Sequence, residues 1–417
     1  MFTPSPAQKI TTSQKVVWLV LAFALALACP VAQAEVLTPH YYAARRGSLE
    51  KVKIRLQSGD RELAKALKNL IAEADATLPE APPSVMYKTK APPGGDRHDY
   101  MSLAPYFWPD PESKTGLPYI RHDGKVNPES RDEKINDSPR IRQMGDAIET
   151  LALAYYFTGD PKYAAAAGKR ARVWFLDPAT RMNPHLKYAQ AIPGVNDGRG
   201  TGILEGRHLA QAADALGLLA GSSAWPAADA QALQAWLGTY FDWLLNSRAG
   251  REEGAAKNNH GTWYDVQAVE LALCLGRTNV AASRIADARM RRIAVQIEPD
   301  GRQPLELART TSFSYSCFNL YALGELATLG QHVGIDLWSF QTSDGRSLRR
   351  ALDFLLPYMD RPAKKWPYPQ IKEKHDQAEF LPLLRQASLA FHVADYESVL
   401  EKYSEAGSKR FQLCLLP

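Results

Sequence analysis

Cysteine is scarce, with four residues in a chain of 417. Cys29 falls in an N-terminal segment described below. Cys274, Cys317 and Cys414 are odd in number and far apart, which excludes a disulfide framework and zinc-finger spacing. Cys274 and Cys317 sit in apolar helical surroundings and read as small buried hydrophobes. An excess of one charge is also missing, with 50 Lys and Arg against 45 Asp and Glu. With no basic run and no known binding module, nucleic acid is a poor fit as a partner. His98, His122, His185, His208 and His260 are scattered, with no His-x-x-x-His and no cysteine partners, so neither a metal nor another cofactor is expected. The run Gly198-Arg-Gly-Thr-Gly202 has no strand before it and is not a phosphate loop. No tract is of low complexity, and 45% hydrophobic, 23% charged and 10% aromatic residues make a globular composition, which excludes disorder, collagen and coiled coil.

Beyond the N-terminus no apolar stretch is long enough for a membrane span. At the N-terminus, Lys9 and Lys15 precede Val16–Ala28, an uncharged run of 13 residues, too short for a permanent span. Ala32-Gln33-Ala34 follows as a small-x-small cleavage site. Residues 1–34 read as a secretory signal peptide, with mature protein from Glu35 in the periplasm or secreted. A lipoprotein cut before Cys29 fits less well, because Ala26 stands where Leu is usual and Pro30 follows. The mature chain keeps 48 cations against 45 anions, so any positive field is local.

After residue 140, apolar residues recur at helical spacing, as in Ile141, Met144, Ile148, Leu151 and Tyr155. Thr158-Gly-Asp-Pro161 ends that helix and starts the next, Lys162–Phe175. Further helices are expected at Ile203–Ala220, Ala228–Asn246, Thr262–Leu275, Val280–Ile297, Ser312–Leu329, Ser347–Leu356 and Glu379–His392. Short Gly, Pro and Asp loops join most of them, and β-branched alternation is rare. The fold class is all-α: an array of helical hairpins closing into an incomplete barrel, an α/α toroid. No Ser-, Gly- or Pro-rich linker divides it, so residues 35–417 read as one domain.

Two long loops break the helical pattern. Residues 91–129, crowded with Pro, Gly, Asp and aromatics, read as a lid-like loop over a cleft. Tyr100, Tyr106 and Trp108 there suit stacking on sugar faces, or pin the loop to the helices as Phe107 does. Residues 183–199 place His185, Tyr188, Gln190 and Asn196 between two helices, where a rigid scaffold presents binding groups. Arg121 and Arg207 are candidate contacts for an acidic ligand, while Arg199 reads as solvated surface charge.

Asn258-Asn259-His260-Gly261-Thr262-Trp263-Tyr264 puts two carboxamides, an imidazole and two aromatics where a loop becomes a helix. Asn or His there also suits a helix cap, and Trp263 suits a core. Further on, Arg309 and Tyr315 flank another helix start. The combination resembles the active site of the alginate lyase family, whose members are α/α toroids. The long loop adds to the likeness through His98-Asp-Tyr100-Met-Ser102, Pro105-Tyr-Phe-Trp-Pro-Asp-Pro111, Pro118-Tyr-Ile-Arg121 and Asn127-Pro-Glu129, and so does Met182-Asn-Pro-His-Leu-Lys-Tyr-Ala-Gln190. These features are similar to the branch of the family outside the periplasmic mannuronate lyases, over roughly residues 90–330.

The resemblance implies a lyase that cleaves an acidic, uronate-containing polysaccharide, with alginate or polymannuronate first, by β-elimination. Catalytic roles then fall to Asn259, His260, Arg309 and Tyr315, and substrate contacts to Tyr100, Tyr106, Trp108, Arg121, His185, Tyr188, Gln190, Arg207, Trp263 and Tyr264. The residue types suit the chemistry. The C5 proton is a poor acid beside a charged carboxylate, and amide, imidazole and guanidinium donors neutralise that charge. Tyr315 is the acid–base candidate, and Arg309 beside it would favour the phenolate. Where H5 and O4 share a ring face, as in mannuronate or glucuronate, Tyr315 serves as both base and acid, the course toward which the resemblance leans. In guluronate they lie on opposite faces, and His260 could be the base.

Two other readings stay open. An α/α-toroid glycoside hydrolase needs two flanking carboxylates, for which Glu205, Asp265, Glu270 and Glu306 are available. A non-catalytic glycan-binding or export protein needs none. The N-terminal reading has its own test: sequencing the exported protein should give Glu35 as first residue, and a chain that retains residues 1–34 would refute it.

Overall fold

The structure, a computed structural model, describes Met1 and residues 38–359, 365–372, 380–402 and 413–414. The expected signal peptide, with Cys29, lies outside the described residues apart from Met1. The unit Thr38–Pro417 is an α/α toroid.

It opens with a hairpin that was not expected: α1 (Ser48–Gln57) and α2 (Arg61–Thr77). Asp60 caps α2 by accepting from the backbone N–H groups of Glu62 and Leu63. The long loop follows and carries β1 (Met101–Leu103), β2 (Phe107–Trp108) and β3 (Ile120–Arg121). β2 and β3 pair antiparallel, Phe107 opposite Arg121. Then come α3 (Ser138–Thr158) and α4 (Pro161–Ala171), joined where Gly159 turns at φ 71° and Asp160 caps the Lys162 N–H. Strand β4 (Tyr188–Ala191) pairs parallel with β1. The remaining helices are α5 (Arg207–Leu216), α6 (Ala227–Asn246), α7 (Arg248–Gly254), α8 (Asn259–Cys274), α9 (Thr278–Ala288), α10 (Pro304–Leu307), α11 (Ser312–His332), α12 (Leu348–Leu355), α13 (Phe380–Phe391) and α14 (Ala394–Lys402).

Every helix expected after residue 140 has a counterpart, but three change form along their length, and the expected Lys162–Phe175 helix ends in a π turn at Arg172–Leu176. The expected Ile203 helix begins as a 3₁₀ stretch, Gly200–Gly206. Gly202 packs so closely there that a Cβ would fall 2.6 Å from the Ala189 backbone. The expected Val280 helix passes through a π turn, Arg289–Ile293. This turn aims Arg292 inward, where Nε bonds buried Asp265 at 2.6 Å and the other nitrogens bond the Gly254 and Ala256 carbonyls. A Cβ on Gly261 would lie 2.4 Å from that guanidinium, which explains the glycine inside Asn-Asn-His-Gly.

Helices α3, α5, α8, α11 and α13 pack each on the next as the inner ring. All five line one cavity of about 390 Å³ near the axis. Their faces toward it are polar. Glu149, Glu270 and Glu325 line it, and Asp214 lies buried beside them, accepting 2.8 Å bonds from the Tyr42 and Ala43 N–H groups. Cys274, Cys317 and Cys414 are buried, and no disulfide joins them.

Burial, and then the neighbouring carboxyls, push Glu270 well above the usual range. Burial likewise lifts Asp214 and Glu325, each to about 7. These groups hold protons in the folded chain that the unfolded chain releases above a pH of about 4. Their contribution is therefore whole below that pH and is lost as the pH climbs through about 7. The melting temperature should fall between about pH 5 and pH 8, and Glu270→Gln should flatten the slope. Calorimetry showing a rise across that window would contradict this account of the axis.

Candidate active site

Hairpin topology makes the inner helices run the same way, so their N-termini meet at one end of the axis. A cavity of about 600 Å³ lies there. It takes Ser138 and Arg142 from α3, Leu204 and Glu205 from the turn before α5, Asn259 and His260 from α8, and Ser314 and Tyr315 from α11. Helix N-termini carry partial positive charge. Arg121, Arg131, Arg142, Arg199, Arg309 and Lys372 line the same space, so the cleft is cationic while the cavity beyond it is acidic. Arg207 lies between them, its guanidinium 5.2 Å from the Trp263 ring and 5.3 Å from the Phe318 ring.

Asn259, His260, Arg309 and Tyr315 all line the cleft. The cap of α8 is Asn258, whose side chain accepts from the His260 N–H at 3.2 Å. Asn259 is thereby left for another role. Its backbone N–H and its Nδ2 donate to the two carboxylate oxygens of buried Glu306, both at 2.7 Å. Its Oδ1 is buried with no partner. Burial raises the Glu306 carboxyl, and the two Asn259 bonds oppose that. Nδ1 of His260 lies 2.6 Å from Oε1 of buried Glu253. A carboxylate can only accept, so Nδ1 carries the hydrogen and Nε2 is left for a ligand.

Arg309 donates from Nη2 to the Tyr315 hydroxyl at 2.7 Å, and that hydroxyl donates to Tyr106 at 2.8 Å. Arg309 also forks onto Asp123 from the long loop, through Nε at 3.1 Å and Nη2 at 2.6 Å. Arg309 favours the phenolate as expected, but its effect does not prevail. Burial and then the Tyr106 hydroxyl push the Tyr315 phenol well up, and the guanidinium offsets only part of this. Burial raises Asp123 too, but the Arg309 and Arg121 bonds outweigh it and hold the carboxyl far below its usual range.

Of the expected substrate contacts, Tyr106, Arg121 and Gln190 line the cleft. Gln190 holds a left-handed φ of 50°, and its side chain accepts from Arg199 at 2.9 Å. Other residues are placed differently. Tyr100 is fully buried and donates to Glu205 at 2.7 Å, so it supports the floor instead of stacking on sugar. Tyr188 is buried in β4, its hydroxyl against Gly94. Tyr264 is buried and bonded to the Leu244 carbonyl, because its helix face turns to α6. Trp263 packs on Phe318 and Tyr321, and with Arg207 it faces the acidic cavity. Trp108 bonds the Lys125 carbonyl within the long loop. His185 sits 3.1 Å from Asp99, outside the cleft lining. Arg199 also departs from expectation. It lies over the Phe107 ring at 5.2 Å and faces the cleft. The sequence reading passed over Asp123 and Glu253 as partners and placed Glu306 in another role. Their one sequence signal is an acid within or near each motif.

An open α/α toroid with a cationic cleft that gathers an amide, an imidazole, a guanidinium and a phenol has the architecture of a polysaccharide lyase. The chain belongs to the alginate lyase family, whose model matches residues 84–366. A solved alginate lyase from Bacteroides ovatus is 41% identical, over 91% of this chain and 100% of its own, with a TM-score of 0.86. Alginate lyase A1-III from Sphingomonas species A1 shares the fold at 19% identity, covering 88% of this chain and 92% of its own, with a TM-score of 0.52. A histidine-to-alanine variant of that enzyme, complexed with a tetrasaccharide, aligns with a TM-score of 0.57 at 19% identity over the same shares. No match is found among curated proteins.

The Glu306 clamp can be tested directly. Glu306→Ala leaves two buried N–H groups without acceptors, at about 1–3 kcal/mol each, and frees the Asn259 side chain to turn. A lower melting temperature and a fall in kcat on the order of 10²-fold are expected. Unchanged kcat in the folded variant would show that the clamp does not serve the reaction.

Proposed function

We propose that this polysaccharide lyase acts on a 1,4-linked polyuronate, alginate first, by β-elimination in the cleft at the helix N-termini. The observation that carries the reading is the convergence of Asn259, His260, Arg309 and Tyr315 on one cationic space. The sugar carboxylate lies against the free amide hydrogen of Asn259 and, when His260 is an imidazolium, against its Nε2–H, and these donors disperse its charge as the C5–H bond breaks. The electron pair left at C5 forms the C4–C5 double bond, the C4–O4 bond cleaves, and O4 takes a proton from Tyr315. Burial keeps that phenol protonated in the resting enzyme, which suits the donor role.

Two bases serve two ring geometries. Where H5 and O4 share a face, the reacting form is the Tyr315 phenolate, its proton released to solvent, whose oxygen takes H5 and returns it to O4. Where they lie on opposite faces, His260 takes H5 on Nε2, and buried Glu253 on Nδ1 stabilises the imidazolium that forms. The 2.6 Å Glu253–His260 contact favours this second course alongside the first.

A hydrolase reading finds little support. Asp265 is held by Arg284 and Arg292, Glu270 faces the acidic cavity, and Glu306 is bound to Asn259. Among the described residues that line the cleft, Glu205 is the only carboxylate. The cationic lining and the apolar leader at residues 16–28 fit an exported enzyme meeting an extracellular polyanion. Among the described residues no helix is long and apolar enough to cross a membrane.

Polymannuronate, polyguluronate, glucuronan and pectate, each read by the far-ultraviolet absorbance of the new double bond, test the assignment. Tyr315→Phe should lower turnover by at least about 10²–10⁴-fold while polymer binding persists. Full turnover in a folded Tyr315→Phe protein, or cleavage of polymer without the absorbing product, would refute it.

A further inference from the structure

The reaction as derived leaves Asp123 unused, although it is the anion nearest the reacting tyrosine's cation. Its carboxylate takes the Arg309 fork, a 2.7 Å bond from Arg121, and bonds from the Thr310 N–H at 3.2 Å and hydroxyl at 3.1 Å. The Arg309 guanidinium carbon in turn lies over the Tyr315 ring, 3.7 Å from its centre, with Nη2 shared between the Tyr315 hydroxyl and Asp123. The charge that would stabilise a phenolate is thus drawn off by a carboxylate on the opposite edge of the same guanidinium. The other titratable and charged groups that line the cleft with Tyr315 are Tyr106, Arg121, Arg131 and Arg199 from the loops, Arg142 from α3, Glu205 from the turn before α5, His260 from α8 and Lys372 ahead of α13, with Glu306 buried behind Asn259.

The two ring geometries ask opposite things of Tyr315. Same-face elimination needs the oxygen without its proton at the outset, whereas opposite-face elimination needs the proton in place to give to O4. A fixed charge that moves the phenol between those forms moves the enzyme between substrates.

We propose that Asp123 is a positioning residue that sets specificity. Through its fork on Arg309 it favours opposite-face linkages such as guluronate over same-face linkages such as mannuronate and glucuronate. This rests on the polyuronate reading above, with Tyr315 as proton donor. The loop that carries Asp123 therefore tunes the acid–base group as well as covering the cleft.

The test compares the intact enzyme with Asp123→Asn and Thr310→Val, by initial rates on polymannuronate and polyguluronate across a range of pH. Asp123→Asn removes the charge and keeps an acceptor. It should raise the polymannuronate-to-polyguluronate rate ratio about tenfold, the effect of one pKa unit, and move the alkaline rise on polymannuronate to lower pH. Thr310→Val removes loop hydrogen bonds but no charge, and it should leave the ratio and the pH profile unchanged. Asp123→Ser, a second neutral variant, should repeat the Asn result and serves if the first does not fold. Equal loss on both polymers with an unmoved pH profile, or the same shift in Thr310→Val, would overturn the proposal and leave Asp123 a loop anchor. Absence of unsaturated product from either polymer with the unaltered enzyme would overturn the polyuronate reading, and the proposal with it.

Discussion

Helices α3, α5, α8, α11 and α13 run the same way around one axis, and the remaining features depend on that constraint. Each outer helix returns the chain so that the next inner helix starts at the same end. Backbone N–H groups left unbonded at helix starts therefore gather around one cleft. The side chains follow the same polarity. Arginines and a lysine crowd the N-terminal end, and carboxyls from four inner helices meet deeper along the axis. The Arg207–Trp263–Phe318 stack separates the two fields. The cationic end attracts an anionic ligand.

Within the cleft, each group assigned to handle the sugar carboxylate or the tyrosine is backed by an acid from elsewhere in the chain. Glu306 backs Asn259, Glu253 backs His260 and Asp123 backs Arg309. An unpaired cation or a loosely held amide would be free to turn, and an unpaired buried acid would be costly. Pairing resolves both problems and fixes one face of each functional group, so the other face is presented to the ligand. The three acids come from the segment before α11, from α7 and from the long loop.

Helix positions were legible wherever apolar spacing was regular, as from Ile141 to Phe157. The breaks were not, because the π turn at Arg289–Ile293 serves a buried partner, Asp265, far off in sequence. The hairpin of α1 and α2 was not expected, although Leu63, Ala66, Leu70 and Ala74 recur there at helical spacing and form its buried face. The aromatics misled where burial decided their role: Tyr100, Tyr188 and Tyr264 look like sugar platforms on paper, yet packing turns each inward. Arg199 misled in the other direction, since nothing local tells a solvated arginine from one held by Gln190.

By itself the sequence determined the helical-hairpin array, and it offered an export-like leader and the side chains of Asn259, His260, Arg309 and Tyr315 as candidates. These are matters of composition, period and local motif, and they survive without knowledge of contacts. Only the tertiary structure decided which acid stands behind each of those side chains, and that burial and a neighbouring hydroxyl outweigh Arg309 at Tyr315. Hydrogen bonding and desolvation depend on what lies within a few ångströms, and in this chain those neighbours come from segments as far apart as Asp123 and Arg309.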